Sequence, residues 1–317
     1  HRAFLARGRP AGSVSPLEEL AYLGEHTLGA LTYHPTTGPQ GPFDDAISLA
    51  GLAEHARRVY DGKAEEVLPT LIRAGGSPGG ARPKALIGLK DDGGPGVRFG
   101  EVPLPPGWSA WLVKFPATHE DADVARREWA WMKLASSAGL DVPETRLLHL
   151  EGVGPAFAVR RFDRPGGNRR LHMLSAAGAL DADFRTAFID YRDLLRLSGV
   201  VCGGDQSQVL AAYRLAAFNV GAVNEDDHLK NFAFLCSPAG RWRLAPGFDL
   251  TYAPHHTGVR TTTVVGIERE VTRKDLLALA ESVGLPARRA EQVLDEVVEA
   301  LLQIGPVMEE ARCHHTV

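Results

Sequence analysis

The sequence predicts an α+β fold of two lobes, a small strand-bearing N-terminal part followed by a mainly helical C-terminal part. Three observations lead there. Strand-like apolar runs gather at 85–89, 110–116, 145–150 and 157–162. From Leu171 onward helical patterns take over, at 184–198, 207–223, 274–283 and 288–304. Among those helices sits one hairpin, with runs at 232–236 and 242–244 parted by Ser-Pro-Ala-Gly. Repeated βαβ units would alternate the two patterns instead.

At 317 residues the chain has room for two cores, and 44% hydrophobic with 23% charged residues is the composition of an ordinary globule. A formal net charge of −4 argues against a broad nucleic-acid-binding face. No apolar run reaches the length of a membrane span, and HRAFLARGRPAG has no sustained apolar core for a signal peptide. Cys202, Cys236 and Cys313 are odd in number and far apart, which fits a reducing cytoplasm. The chain starts at His1 without Met, so an upstream segment is expected to be missing.

Residues 1–74 read as a small helical subdomain, with pieces near 15–22, 47–60 and 64–74 around an apolar stretch at 28–33. Residues 75–163 form the strand-bearing lobe and 164–317 the helical lobe. The second region opens on Gly75-Gly-Ser-Pro-Gly-Gly-Ala-Arg-Pro-Lys84. Glycines let backbone amides approach a ligand closely, and Lys84 at the end can meet phosphate, although a flexible hairpin tip explains the composition too. The segment lacks the Gly-Lys-Ser/Thr of a Walker A loop. In the strand AWLVKFP, Lys114 shares a face with Ala110 and Leu112 by the period of two, so it must snorkel or find an anion.

The helix at 124–138 carries an apolar stripe of Val124, Trp131, Ala135 and Ala138 and ends at Gly139. Glu128 falls on that stripe. A carboxylate there needs a partner, and Lys114, one strand earlier, is the natural one, since strand lysine with helix glutamate is the pair that steadies nucleotide phosphates in protein kinases. Arg126 or Arg127 at the solvent edge is the alternative. Residues 91–108, rich in Gly and Pro, read as a loop. Thr272 with Asp275 resembles a capping box.

The chemistry concentrates at 219–249. Asp226, Asn231 five residues on, and Asp249 eighteen beyond that fall at the ends of the hairpin. Two carboxylates and an amide suit Mg²⁺, which takes oxygen ligands and keeps water or phosphate in its shell. Asp226 is preferred to Asp227 because only it stands five before Asn231. An ordinary polar turn would also use these residue types. His255-His256 and Cys313-His314-His315 lack a second half at zinc spacing, so no metal is assigned to them.

In their order along the chain, these segments resemble the HipA family of bacterial serine/threonine kinase toxins, over nearly the whole length. The matching stretches are LGEHTLGALTYHP (23–35), GGSPGGARPKAL (75–86), WLVKFP (111–116), EWAWMKLASSAGLDVP (128–143), FAVRRFDR (157–164), NEDDHLKNFAFL and LAPGFDLTY. The resemblance implies a two-lobe protein-kinase-like fold that uses ATP and Mg²⁺. It makes Asp226 the catalytic aspartate and Asn231 and Asp249 the metal ligands. Lys114 would contact the ATP phosphates with Glu128 behind it, and Lys84, His228 and Lys230 would also reach phosphate. Ser77, Gly79, Gly80 and Ala81 would line the phosphate loop, while Arg161, Phe162 and Asp163 would line the adenine and ribose site. Ser77 matches the serine that this family autophosphorylates, which adds roughly −2 charge to a phosphate-cradling loop. The implied substrate is an aminoacyl-tRNA synthetase or another translation protein. A helix-turn-helix antitoxin is the implied partner, with DNA reached only through it. The chain departs from the pattern at Arg160, where an acidic or neutral residue is expected, and at Pro78. A small-molecule phosphotransferase of similar build and a non-catalytic antitoxin-binding module are the alternatives.

Overall fold

The computed structural model describes residues 10, 13–38, 48–60, 82–99, 103–117, 120–121, 123–183 and 189–313. The chain divides into two compact units, residues 1–126 with 144–170 and residues 127–143 with 171–317. The helix expected with the strands therefore groups mostly with the helical unit, and the first unit runs on to Arg170.

The first unit is built on an antiparallel sheet of β1 (Lys84–Lys90), β2 (Val97–Phe99), β3 (Trp108–Lys114), β4 (Thr145–Leu150) and β5 (Gly154–Arg160), in the order β2-β1-β3-β5-β4. Alternation decides its two faces. Ala85, Ile87 and Leu89 of β1, Trp111 and Val113 of β3, and Ala156 and Ala158 of β5 are buried in one core. Helix α1 (Pro16–Leu23) adds Tyr22, and α2 (Leu49–Tyr60) adds Leu52, Ala53 and Ala56. Each large side chain buried this way contributes about 1.5–3 kcal/mol. The Trp111 indole N–H donates to Ser109 Oγ at 2.9 Å, so the largest core residue leaves no donor stranded.

The other face carries Lys84, Leu86 and Lys90 beside Trp108, Ala110, Leu112 and Lys114. One expectation fails here. The stretch 91–108 contains β2, which pairs Val97, Arg98 and Phe99 with β1. Three residues between Gly96 and Gly100 are too few to show a period by themselves.

The second unit begins with most of α3 (Val124–Ser137), whose stripe residues Val124, Trp131, Ala135 and Ala138 are all buried. It ends at Gly139, with φ +77°. Then come β6 (His172–Ser175), α4 (Ala176–Ala179), β7 (Ile189–Asp190), α5 (Tyr191–Val201) and α6 (Gln206–Gly221). After a 3₁₀ turn at Leu229–Asn231 follow β8 (Ala233–Cys236), β9 (Trp242–Leu244), β10 (Thr262–Thr263), α7 (Arg273–Ser282), α8 (Ala287–Leu301) and α9 (Ile304–Glu310). Helix α6 is apolar almost all round and lies buried, with Tyr213, Ala216 and Phe218 fully enclosed. The inner stripe of α8 is Ala290, Val293, Leu294, Val297 and Ala300.

The expected hairpin is present, but it belongs to a three-stranded sheet in the order β6-β8-β9. The sequence reading missed β6 because His-Met-Leu-Ser is short and runs directly into a helix. The capping box forms as read: the Thr272 N–H and Oγ1–H both donate to Asp275 Oδ2, at 2.8 and 2.6 Å. No helix among the described residues is long and apolar enough to cross a membrane.

Candidate active site

In the second unit, α6 stops at Gly221, and Val223 at φ +52° turns the chain into the loop that carries Asp226. The loop enters the 3₁₀ turn, where Leu229 is buried and Lys230 is exposed. The Asn231 N–H closes the turn on the His228 carbonyl at 2.8 Å, and Asn231 Nδ2 donates to the Asp226 carbonyl at 2.8 Å. This fixes the side-chain amide against the loop, so that its oxygen remains the group it can offer a cation. Strands β8 and β9 then return the chain to Asp249, which is exposed and held at φ +59° between Gly247-Phe248 and the buried Leu250. The Gly247 N–H donates to the Asp141 carbonyl at 2.7 Å.

The fold thus brings Asp226, Asn231 and Asp249 to one end of the hairpin. Partial burial raises the Asp226 carboxyl above its usual value. The charge of His228 opposes this, whereas Asp249 and Asp227 raise it further. Two acids that repel each other beside an amide oxygen are a donor set suited to a hard dication. Among the described residues no group of three or more His, Cys, Asp or Glu is arranged for a metal. A set of two carboxylates and one amide fits Mg²⁺ completed by water and phosphate oxygens, so the residues present fit the ion.

Asp227 has a different environment. It is fully buried, and its carboxylate accepts hydrogen bonds from Tyr191 Oη–H at 2.6 Å, Arg260 Nη2–H at 2.8 Å and the Thr262 N–H at 3.1 Å. Of the doubled acids, only Asp226 is exposed. Glu128, also in this unit, is 2% exposed, in keeping with its place on the core-facing stripe of α3.

In the first unit, Lys84 and Lys114 are direct cross-strand partners on the face opposite the core. Like charges directly opposite on neighbouring strands repel each other. Lys114 Nζ lies 5.8 Å from the Phe157 ring centroid. Ser77, Gly79, Gly80 and Ala81 lie outside the described residues.

The Arg161 and Asp163 side chains form a buried ion cluster. Asp163 accepts from Arg161 Nε at 3.0 Å and Nη2 at 2.8 Å, Arg164 Nη1 at 2.7 Å and the Gly29 N–H at 2.8 Å. Arg161 and Arg164 also donate to the Thr27 carbonyl. Burial alone would raise the Asp163 carboxyl, but bonding and charge from Arg161 and Arg164 outweigh it, and the group lies below its ordinary value. These side chains tie 161–164 to 27–29, and Arg161 and Arg164 also line a cavity of about 160 Å³ with Leu86, Trp108, Ala110 and Arg170. Phe162 is half-buried. Tyr191, Asn219, Asn224 and Arg260, which bond to one another and to Asp227, carry no local pattern that marks them in the sequence.

A strand-bearing unit with paired lysines and a helical unit with an Asp–Asn–Asp set place the chain in the kinase-like α+β class. A family model described as the HipA-like C-terminal domain matches residues 76–304, and the chain belongs to that family. It is 25% identical to a candidate kinase of Sinorhizobium fredii, Y4dM, over 87% of this chain and 66% of that protein. A second from the same organism, Y4mE, is 27% identical over 92% of this chain and 73% of its own length. The serine/threonine-protein kinase toxin HipA of Shewanella oneidensis is 25% identical over 64% of this chain and 53% of that protein. Among solved structures, the Shewanella oneidensis complex of HipA, HipB and operator DNA matches with a TM-score of 0.68 at 18% identity, covering 98% of this chain and 74% of that one.

Proposed function

We propose that this chain is a Mg²⁺-ATP-dependent serine/threonine protein kinase acting as a HipA-like toxin. The observation that carries this reading is the gathering of Asp226, Asn231 and Asp249 at one end of the hairpin, with the two acids close enough to repel. Asp226 accepts the proton of a serine hydroxyl as its oxygen bonds to the γ-phosphorus and the bond from that phosphorus to the departing ADP breaks. Asn231 and Asp249 hold the metal, which when bound neutralises phosphate charge. Lys114 and Lys84 hold phosphate oxygens, and His228 and Lys230 add donors from the loop that carries Asp226. Arg161, Phe162 and Asp163 line the adenine and ribose site, with the Arg161 and Asp163 side chains held to each other by their ion pair.

The family and the HipA–HipB–DNA relative support a helix-turn-helix antitoxin as partner, with DNA reached through it. The substrate in this reading is a translation protein such as an aminoacyl-tRNA synthetase, the site of action is the cytoplasm, and Ser77 is a site of autophosphorylation.

Purified chain given labelled ATP and Mg²⁺ should incorporate phosphate that peptide mapping places on Ser77. Asp226→Ala and Asp249→Ala should keep the fold and each lose incorporation by about a thousandfold or more. Undiminished labelling in both variants would reject the site. ATP binding without turnover in the unaltered chain would point to a non-catalytic module.

A further inference from the structure

A buried chain of polar side chains runs beneath the two exposed acids. Tyr191 opens α5 and is fully enclosed, stacked edge-on to Phe232 with ring centroids 5.8 Å apart. Its hydroxyl donates to Asp227 Oδ2 at 2.6 Å and accepts from Asn219 Nδ2, on the last turns of α6, at 3.0 Å. Asn219 Oδ1 accepts from Asn224 Nδ2 at 3.0 Å, and the same Nδ2 reaches the Asp249 carbonyl at 3.4 Å. Arg260 Nη2 closes the circuit, donating to both the Asn224 carbonyl and Asp227 Oδ2 at 2.8 Å. One end of this circuit is the residue beside Asp226, and the other is the backbone of Asp249.

We infer that Tyr191, Asn219, Asn224, Asp227 and Arg260 form one positioning network that sets the separation and orientation of Asp226 and Asp249. This rests on the proposed metal and phosphoryl-transfer site. The physical ground is that a buried network with this many mutual bonds admits few alternative geometries, because each displaced member gives up buried hydrogen bonds; Arg260 Nε is the one atom of it left without a partner. Two like charges held close would otherwise separate. The two asparagines and the tyrosine therefore work as a brace against that repulsion, acting through the backbone and touching no substrate.

The test is Tyr191→Phe, which keeps the ring and removes only the hydroxyl. Two readouts are taken: kcat and ATP KM for phosphate transfer, and Mn²⁺ affinity in the presence of a non-hydrolysable ATP analogue, followed by electron paramagnetic resonance. A network that positions the acids predicts kcat lower by about ten- to a hundredfold with ATP KM little changed. It also predicts Mn²⁺ binding several-fold weaker while circular dichroism stays that of the parent. Parental kcat and Mn²⁺ affinity in a variant that is merely less heat-stable would overturn the inference and leave the network as scaffolding. Arg260→Lys, which keeps the charge but loses the shared Nη2 donor, should repeat the split. Loss of folding in both variants would likewise mark the network as purely structural and overturn it. Asp249→Ala run in parallel separates the two ideas: activity retained there defeats the site itself, whereas activity lost there but intact in Tyr191→Phe defeats only the network.

Discussion

Asp163 stands between Phe162 and Arg164 and Asp226 between Glu225 and Asp227, and their surroundings set the two carboxyls in opposite directions. At Asp163 two guanidiniums and an amide overcome the burial penalty and hold the carboxyl below its ordinary 3.8. A carboxyl depressed in the folded state contributes stability that is present above its unfolded value and is lost as pH falls through its folded value. Asp163→Asn should therefore destabilise the chain by about 3–5 kcal/mol near neutrality, because it leaves two buried arginines without their carboxylate. Urea midpoints should show the same gap at pH 7 and pH 5 and a smaller one at pH 3, below the ordinary 3.8, where the unfolded parent takes up the proton and part of the contribution is lost. A gap that does not shrink in acid would mean the ion cluster is not what stabilises 161–164. At Asp226 the balance falls the other way, with burial and the neighbouring Asp249 and Asp227 prevailing over His228. Spacing pointed to Asp226 rather than Asp227, and of the two Asp226 is exposed and Asp227 fully buried.

Among the elements, α3 was the most legible, because a 3.6-residue stripe and a terminal glycine are both local signals. Its end is also a point of sensitivity. Gly139 sits at φ +77°, and a Cβ there would lie 2.9 Å from Arg214 Nη1. That guanidinium is not free to yield, since it donates to the Ala138 carbonyl and pairs with Glu296, each at 2.6 Å. Gly139→Ala should cost about 1–2 kcal/mol from the left-handed conformation alone, read as a lower denaturation midpoint with an unchanged slope. Strands β2 and β6 were not legible. Each is too short to show a period, and each exists because a partner strand, β1 or β8, offers its edge. The Lys84–Lys114 pairing was invisible for a related reason: both lysines were noted singly, but register between strands thirty residues apart is a property of the assembled sheet.

For the whole molecule, the expected consequence of the site is linkage between ligand and stability. A ligand at about a hundredfold its Kd that binds only the folded state adds about 2.7 kcal/mol. Mg²⁺ with ATP should therefore raise the melting temperature by several degrees, a shift removed by EDTA and absent in Asp249→Ala. An equal shift with ATP in EDTA would show nucleotide binding that does not use the proposed metal ligands. The sequence by itself determined the α+β class, the order of strands before helices, and the residue types and spacings that resemble the HipA family. Those are local or near-local patterns that survive without coordinates. Only the tertiary structure decided that Asp163 pairs with Arg161 and Arg164 inside its own unit, that two lysines share a strand pair, and that Tyr191 and Arg260 lie beneath the loop that carries Asp226. Each depends on burial and hydrogen bonding by partners tens of residues away, and a one-dimensional pattern carries no information about which distant side chain will satisfy a buried charge.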